Sequence, residues 1–414
     1  MQPLTLIFLL VVVAGTGIRL WLAHRQITAV RRHRNQVPAP FAATISAADH
    51  HKAADYAVAR TRVGQVDTLI DAVVLLALTL GGGINALDLL SRRLHLSEPW
   101  HGAIVILSVL LVVSLLGLPL SLWSTFRLEA RFGFNRTTFG LYVADRLKGL
   151  ILALLIGVPL LLAALALMRY AGALWWLYVW ALWLGVSLAL TWAYPAFIAP
   201  LFNRFSPLSD DALRSRIEGL LTRCGFASRG VFVIDGSRRS AHGNAYFTGV
   251  GRNKRIVFFD TLIGTLEPGE IEAVLAHELG HFKLHHVRRR LLLSAVVALA
   301  GLALLGWLAA RPWFYQQLGL AGASDYGALL LFMFVAPAFT FFVTPLAANW
   351  SRRDEFAADA FAAQYTPATA LMAALVKLYR DNATTLTPDA LHSKFYDSHP
   401  PALLRIARLR ELIT

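Results

Sequence analysis

Seven apolar runs, each near the roughly 20 residues that a helix needs to cross a bilayer, divide this 414-residue sequence into alternating apolar and polar stretches. They lie near 4–22, 66–90, 103–123, 149–168, 173–198, 291–308 and 328–350. Only 15% of the residues are charged, against about a quarter in ordinary soluble domains. A multi-pass membrane protein, all-α predominantly, is therefore the expected class.

The flank of the first run, Met1-Gln2-Pro3, carries no positive charge, whereas Arg19 and Arg25 follow at its far end. This reverses the layout of a cleaved secretory signal and predicts a retained helix with its N-terminus outside. The net charge of +14 invites a nucleic-acid reading, but the position of the charge opposes it. Lys and Arg number seven in 24–66, five in 127–148, fourteen in 199–290 and eight after Trp350. Segments 91–101, 169–172 and 309–327 hold two, one and one. Such alternation follows the positive-inside rule. It places the large basic segments and the C-terminus in the cytoplasm, and it makes the lipid bilayer, not nucleic acid, the expected partner. Cys224 stands alone, so no internal disulfide forms.

Four segments follow from this layout. Residues 1–198 hold five transmembrane helices, and 199–290 begin a membrane-adjacent lobe. Residues 291–350 form a transmembrane helical hairpin, and 351–414 complete the lobe. Within the lobe, 213–224 reads as an amphipathic helix and 230–234 as a short strand. Residues 245–249 and 255–260, separated by Gly251-Arg252-Asn253, predict a β-hairpin. Residues 270–287 have helical periodicity with Pro268 near their start, and further helices are expected at 354–365, at 368–379 and after Pro401.

The strongest chemical signal is His277-Glu278-Leu279-Gly280-His281. Residues i and i+4 share a helix face, so two imidazoles there can bind one Zn²⁺, with Glu278 placed to take a proton from an activated water. A catalytic zinc site keeps three protein ligands and an open position, which leaves one ligand to find. Glu355 and Asp359 are again i and i+4, separated by small alanines. One carboxylate could bind metal while the other accepts the free N–H of a ligating His. A solvated acidic face beside Arg352 and Arg353 accounts for the pattern equally well.

His277-Glu278-Leu279-Gly280-His281, Glu355-Phe356-Ala357-Ala358-Asp359, Asn244-Ala245-Tyr246-Phe247 and Ser398-His399-Pro400-Pro401 together resemble the type-I CAAX prenyl protease family, as do Gly133-Phe134-Asn135-Arg136, Tyr194-Pro195 and Ala199-Pro200-Leu201-Phe202-Asn203. The similarity runs from about Phe126 to Arg405 and includes the seven-span layout. It implies that Glu355 is the third zinc ligand and that Asp359 supports a zinc-bound His. It implies an edge strand at Asn244 and Ala245 that pairs with an extended substrate, His399 as oxyanion donor and Arg405 as a supporting cation beside the substrate. The family removes the last three residues of prenylated Cys-aliphatic-aliphatic-X proteins. This chain resembles a bacterial member, which implies the cell inner membrane and a peptide or membrane-protein substrate, lipidated or not.

Read from the residues alone, a His before Pro-Pro is more often a loop residue. His242, His285, His286 and His392 are ligands only in principle, and His285, four residues after His281 on the same expected helix, reads as surface. Asp67, Asp71, Asn85 and Asp88 are costly in lipid unless they face water or protein. In the similar family the spans enclose a water-filled chamber that such residues would suit.

Three other functions leave different marks. An intramembrane zinc protease predicts an Asp-Gly ligand pair inside an apolar run, whereas Asp235-Gly236 lies in the lobe. A transporter predicts broken helices in matching halves and leaves the His-Glu pentad idle. An inactive zinc scaffold has no use for Glu278.

Overall fold

The structure is a computed structural model and describes residues 2–226, 230–248 and 255–413. In lipid every backbone N–H and C=O must be paired within its own segment, so the apolar runs become long helices. They are α1 (Pro3–Arg32), α2 (Ala47–Leu78), α3 (Gly83–Arg92), α4 (Trp100–Trp123), α5 (Phe139–Tyr170) and α6 (Trp175–Ala193), followed by the short α7 (Ala199–Phe202). Among the described residues, six helices are long and apolar enough to cross a membrane, or seven if α2 and α3 form one bent span. Apolar side chains such as Leu10, Leu111, Leu155 and Val297 lie exposed on them, as expected of surfaces that meet lipid.

The run 66–90 is therefore not one straight helix. Gly81-Gly82-Gly83 breaks it, with Gly82 at a φ of 75°, and α3 turns 54° from α2. Polar residues then pin the break. Asn85 Nδ2 donates to the carbonyl of Gly319 at 2.7 Å, and its Oδ1 accepts from the N–H of Ala321 at 3.1 Å. Asp88 accepts from His101 at 2.8 Å and from Tyr326 at 2.9 Å. Those two polar groups are satisfied by protein. Asp71 instead lines a 210 Å³ cavity together with Arg19.

The lobe begins with β1 (Phe205–Pro207), α8 (Asp211–Arg223), β2 (Val231–Ile234), β3 (Ala245–Thr248), β4 (Arg255–Phe259), α9 (Asp260–Ile263) and α10 (Pro268–Lys283). The chain leaves through α11 (His286–Ala309), α12 (Pro312–Gln317) and α13 (Asp325–Thr340), and re-enters along α14 (Thr344–Tyr365). It ends with α15 (Ala368–Asp381), α16 (Ala390–Tyr396) and α17 (Ala402–Glu411). The strands form one sheet in the order β1-β2-β4-β3. The hairpin strands β3 and β4 pair antiparallel as expected, while Gly251-Arg252-Asn253 lie outside the described residues. The short strand β2 lies parallel to β4 and carries β1 on its other edge, so the sheet is larger than a hairpin. Its core joins Ile256, Phe258, Ile271, Leu279, Leu371 and Ile406 with Phe41 and Ile45 from the α1–α2 connection.

Several of the shared motifs lock this lobe to the helices. Arg239 donates to both carboxylate oxygens of Asp145 in α5, at 2.8 and 3.0 Å. It also donates to Asn203 Oδ1 at 3.0 Å and to the carbonyl of Phe202 at 2.6 Å. Asn135 bridges to Ser240 in antiparallel fashion. From the other side, Arg25 of α1 binds Asp389 at 2.9 Å.

Candidate metal centre

The helix that carries the pentad is well started and tightly packed. Pro268 occupies its first turn and Glu267 with Glu270 forms a capping box, which satisfies two of the N–H groups left free at a helix start. Ile271, Leu275 and Leu279 bury one face to about 1% exposure or less, leaving His277 and His281 aligned on another. Gly280 lies against α14: a Cβ there would stand 3.0 Å from Ala358 Cα. Ala358 and Ala362 are fully buried. Small residues on both helices thus permit the close approach that delivers Glu355 to the imidazoles.

The three expected ligands converge. His277 Nε2 and His281 Nε2 are 3.2 Å apart. Glu355 places Oε1 3.2 Å from His281 Nε2 and Oε2 3.5 Å from His277 Nε2. The donor atoms of all three lie within 4.8 Å of one another. Ligands bound at ~2.1 Å to a tetrahedral centre are about 3.4 Å apart, so the spacing fits a small divalent cation. Glu355 Oε2 is buried without a hydrogen-bond partner, an orphan that such a cation would satisfy. Burial and Arg405 oppose a charged His277, yet Asp359 and Glu355 outweigh them and lift its pKa to about 9. The pocket favours positive charge at this point.

Around the donors lies a set of supports. Asp359 Oδ1 accepts from His277 Nδ1 at 2.8 Å. Arg405 clamps Asp359 through both oxygens, Nε and Nη2 each at 2.7 Å, while Nη1 lies 3.6 Å from Glu355. Arg405 is 5% exposed, so its main partner is Asp359. His281 is supported differently: its Nδ1 lies 3.0 Å from His286 Nδ1. The sequence pattern missed this contact because the expected helix 270–287 is two helices. Lys283 ends α10, and His285 takes a left-handed φ of 58° before α11 starts. His285 itself is exposed, as expected, while His286 is buried.

Glu278 and His277 line two cavities, one of which also takes in His281 and Glu355. Burial lifts its carboxyl above the usual carboxylate range, while His277 and His281 pull the other way. His399 approaches from the mouth, Nε2 3.5 Å from Glu355 Oε1 and the side chain 65% exposed. Asn244 precedes β3, the edge strand of the sheet. The Asn244 carbonyl accepts from the N–H of Phe259 at 3.0 Å, and Ala245 pairs opposite Phe258. Backbone groups alternate sides along an antiparallel strand, so Ala245 turns its C=O to the open edge, while its N–H, on the same side, donates to Asn244 Oδ1 at 2.8 Å. Asp235 accepts from the N–H of Arg204 and is not among the grouped metal donors.

A polytopic helical bundle, joined to a lobe where a His-Glu-x-x-His helix meets a carboxylate from a second helix, defines a membrane-embedded metalloendopeptidase. Residues 207–413 match Peptidase family M48, and residues 26–204 match the CAAX prenyl protease N-terminal family of five membrane helices. The chain belongs to peptidase family M48, in the branch that carries this N-terminal region. It is 30% identical to the CAAX prenyl protease 1 homolog of Caenorhabditis elegans over 94% of both chains. It is 34% identical to CAAX prenyl protease 1 of Saccharomyces cerevisiae, covering 87% of this chain and 85% of that one. The crystal structure of S. mikatae Ste24p superposes with a TM-score of 0.91 at 29% identity, covering 99% of each chain.

Proposed function

We propose that the metal is zinc, held by His277 Nε2, His281 Nε2 and the Glu355 carboxylate, and that the chain cleaves peptides presented at the membrane surface. The convergence of these three groups beside Glu278 carries the reading. Bound zinc supplies polarisation of the scissile carbonyl and a lowered pKa for water. The chain's own residues do the rest. Glu278 accepts the proton of the attacking water and returns it to the departing amine. His399 donates to the carbonyl oxygen as that atom gains negative charge. Asp359, clamped by Arg405, keeps the His277 ring in the tautomer that leaves Nε2 free.

The open edge at Ala245, with the Asn244 side chain beside it, supports β-strand pairing with an extended substrate. The adjoining 330 Å³ pocket, lined by Leu262, Val274, Leu371 and Leu375, suits an apolar side chain near the scissile bond. With relatives named CAAX prenyl proteases, the substrate class we infer is the C-terminal peptide of a membrane-held protein, lipidated or not. The basic segments support a cytoplasmic lobe and C-terminus with the N-terminus outside.

The test compares two variants. Glu278→Ala abolishes hydrolysis and keeps about one zinc per chain, as expected of a base that is not a ligand, whereas His277→Ala loses both. Wild-type cleavage by Glu278→Ala would refute the base assignment. Proteins retained by the Glu278→Ala form in membrane fractions would identify the substrate.

A further inference from the structure

The two paired imidazoles are held by unlike partners. His277 has a carboxylate on Nδ1, but His281 has another imidazole, that of His286, at 3.0 Å with the ring centroids 5.1 Å apart and the planes at 71°. On an unbroken helix a residue five positions on stands about 140° around the axis, so His286 could not meet His281. The left-handed His285 makes the meeting possible. It ends α10, starts α11 in a new direction and turns the next side chain back toward the metal site. A non-glycine residue in that conformation is uncommon, and here it has an identifiable consequence.

His286 is in turn held. It is 2% exposed, and its Nε2 lies 3.5 Å from Asp354 Oδ1. Asp354 is 4% exposed and receives Arg289 at 3.1 Å and Arg290 at 3.4 Å. The next residue along α14 is Glu355, so the acceptor of this chain of contacts and the third ligand share one helical turn.

We propose that His286 is a positioning residue for His281: His281 Nδ1–H donates to His286 Nδ1, and His286 Nε2–H donates to Asp354. The hydrogen atoms leave no choice once His281 offers Nε2 to a cation. Its proton then sits on Nδ1, His286 must accept at Nδ1, and its own proton must sit on Nε2, facing the buried carboxylate. The arrangement fixes both the tautomer and the ring plane of His281, the task that Asp359 performs for His277. It rests on the reading of His277, His281 and Glu355 as the zinc site.

The test uses the full chain purified in detergent, with zinc affinity measured by competition with a chromophoric chelator and the ligand field read from the visible spectrum of the cobalt-substituted protein. Loss of an outer hydrogen-bond partner typically weakens metal affinity 10- to 100-fold, so His286→Leu should fall in that range and shift the cobalt bands. His286→Asn, whose amide oxygen can accept from His281, should restore most of the affinity. Wild-type affinity in folded His286→Leu would overturn the proposal, as would an Asn variant no better than Leu, because packing alone would then explain the effect. Should His286→Leu not fold, Asp354→Leu, which leaves His286 Nε2–H no acceptor at that position, takes its place: weakened zinc binding supports the relay, and wild-type binding overturns it. His277→Ala separates the levels. If it keeps zinc, the reading of the site fails; if it loses zinc while His286→Leu binds normally, only the relay fails.

Discussion

Gly280→Ala tests whether close approach of α10 and α14 builds the metal site. The added methyl would stand 3.0 Å from Ala358 Cα, 3.2 Å from the Ala358 carbonyl oxygen and 3.2 Å from Phe361 Cβ. Relaxed carbon contacts lie near 3.5–4.0 Å, so α14 must retreat by about 0.5 Å. Glu355 is one turn away on that helix, 3.2–3.5 Å from the imidazole nitrogens, and metal sites tolerate errors of about 0.2 Å. Overpacking costs about 1–3 kcal/mol, and removing glycine from a helix interior returns about 1 kcal/mol. Stability should therefore fall by at most about 2 kcal/mol, while zinc affinity drops about tenfold or more, as for other disturbances of a ligand's setting. Chelator competition and thermal unfolding of the metal-free protein measure the two quantities separately. Gly157→Ala, where no atom lies within 4 Å, serves as the neutral control. Unchanged zinc affinity in folded Gly280→Ala would refute the reasoning.

Arg405→Ala should strip the buried Asp359 of its clamp and cost about 3–5 kcal/mol, the usual penalty for breaking a buried ion pair; Arg405→Lys keeps charge without the two-pronged contact and should fall between, both read by thermal unfolding. Ala245→Pro removes the edge donor that Asn244 Oδ1 holds at 2.8 Å until an extended substrate takes it, so kcat/KM for a peptide substrate should drop about tenfold, the equivalent of one hydrogen bond, with zinc content unchanged. A protease-sensitive tag after Thr414 should be protected in intact cells and cleaved in inverted vesicles, and the opposite pattern would reverse the inferred sidedness.

What the sequence made legible was local. His277 with His281, and Glu355 with Asp359, are each spaced by one helical turn, so their shared faces could be read from numbering alone. The apolar runs were equally plain, but hydropathy averaged over 66–90 hid the break that Gly81-Gly82-Gly83 imposes. Contacts made by distant segments were not readable. Arg405 reaches Asp359 across 46 positions, and β2 finds its parallel partner β4 only through the fold of the lobe. The His281–His286 contact was missed for another reason. Leu284-His285 carries neither Gly nor Pro to announce a helix end, so periodicity ran straight through the left-handed turn.

The most direct measurement is an anomalous difference map from crystals of the full chain, collected on both sides of the zinc absorption edge. A single peak ~2.1 Å from His277 Nε2, His281 Nε2 and the Glu355 carboxylate is the predicted result. A peak held by other side chains, or Glu355 turned away from an occupied site, would contradict the account.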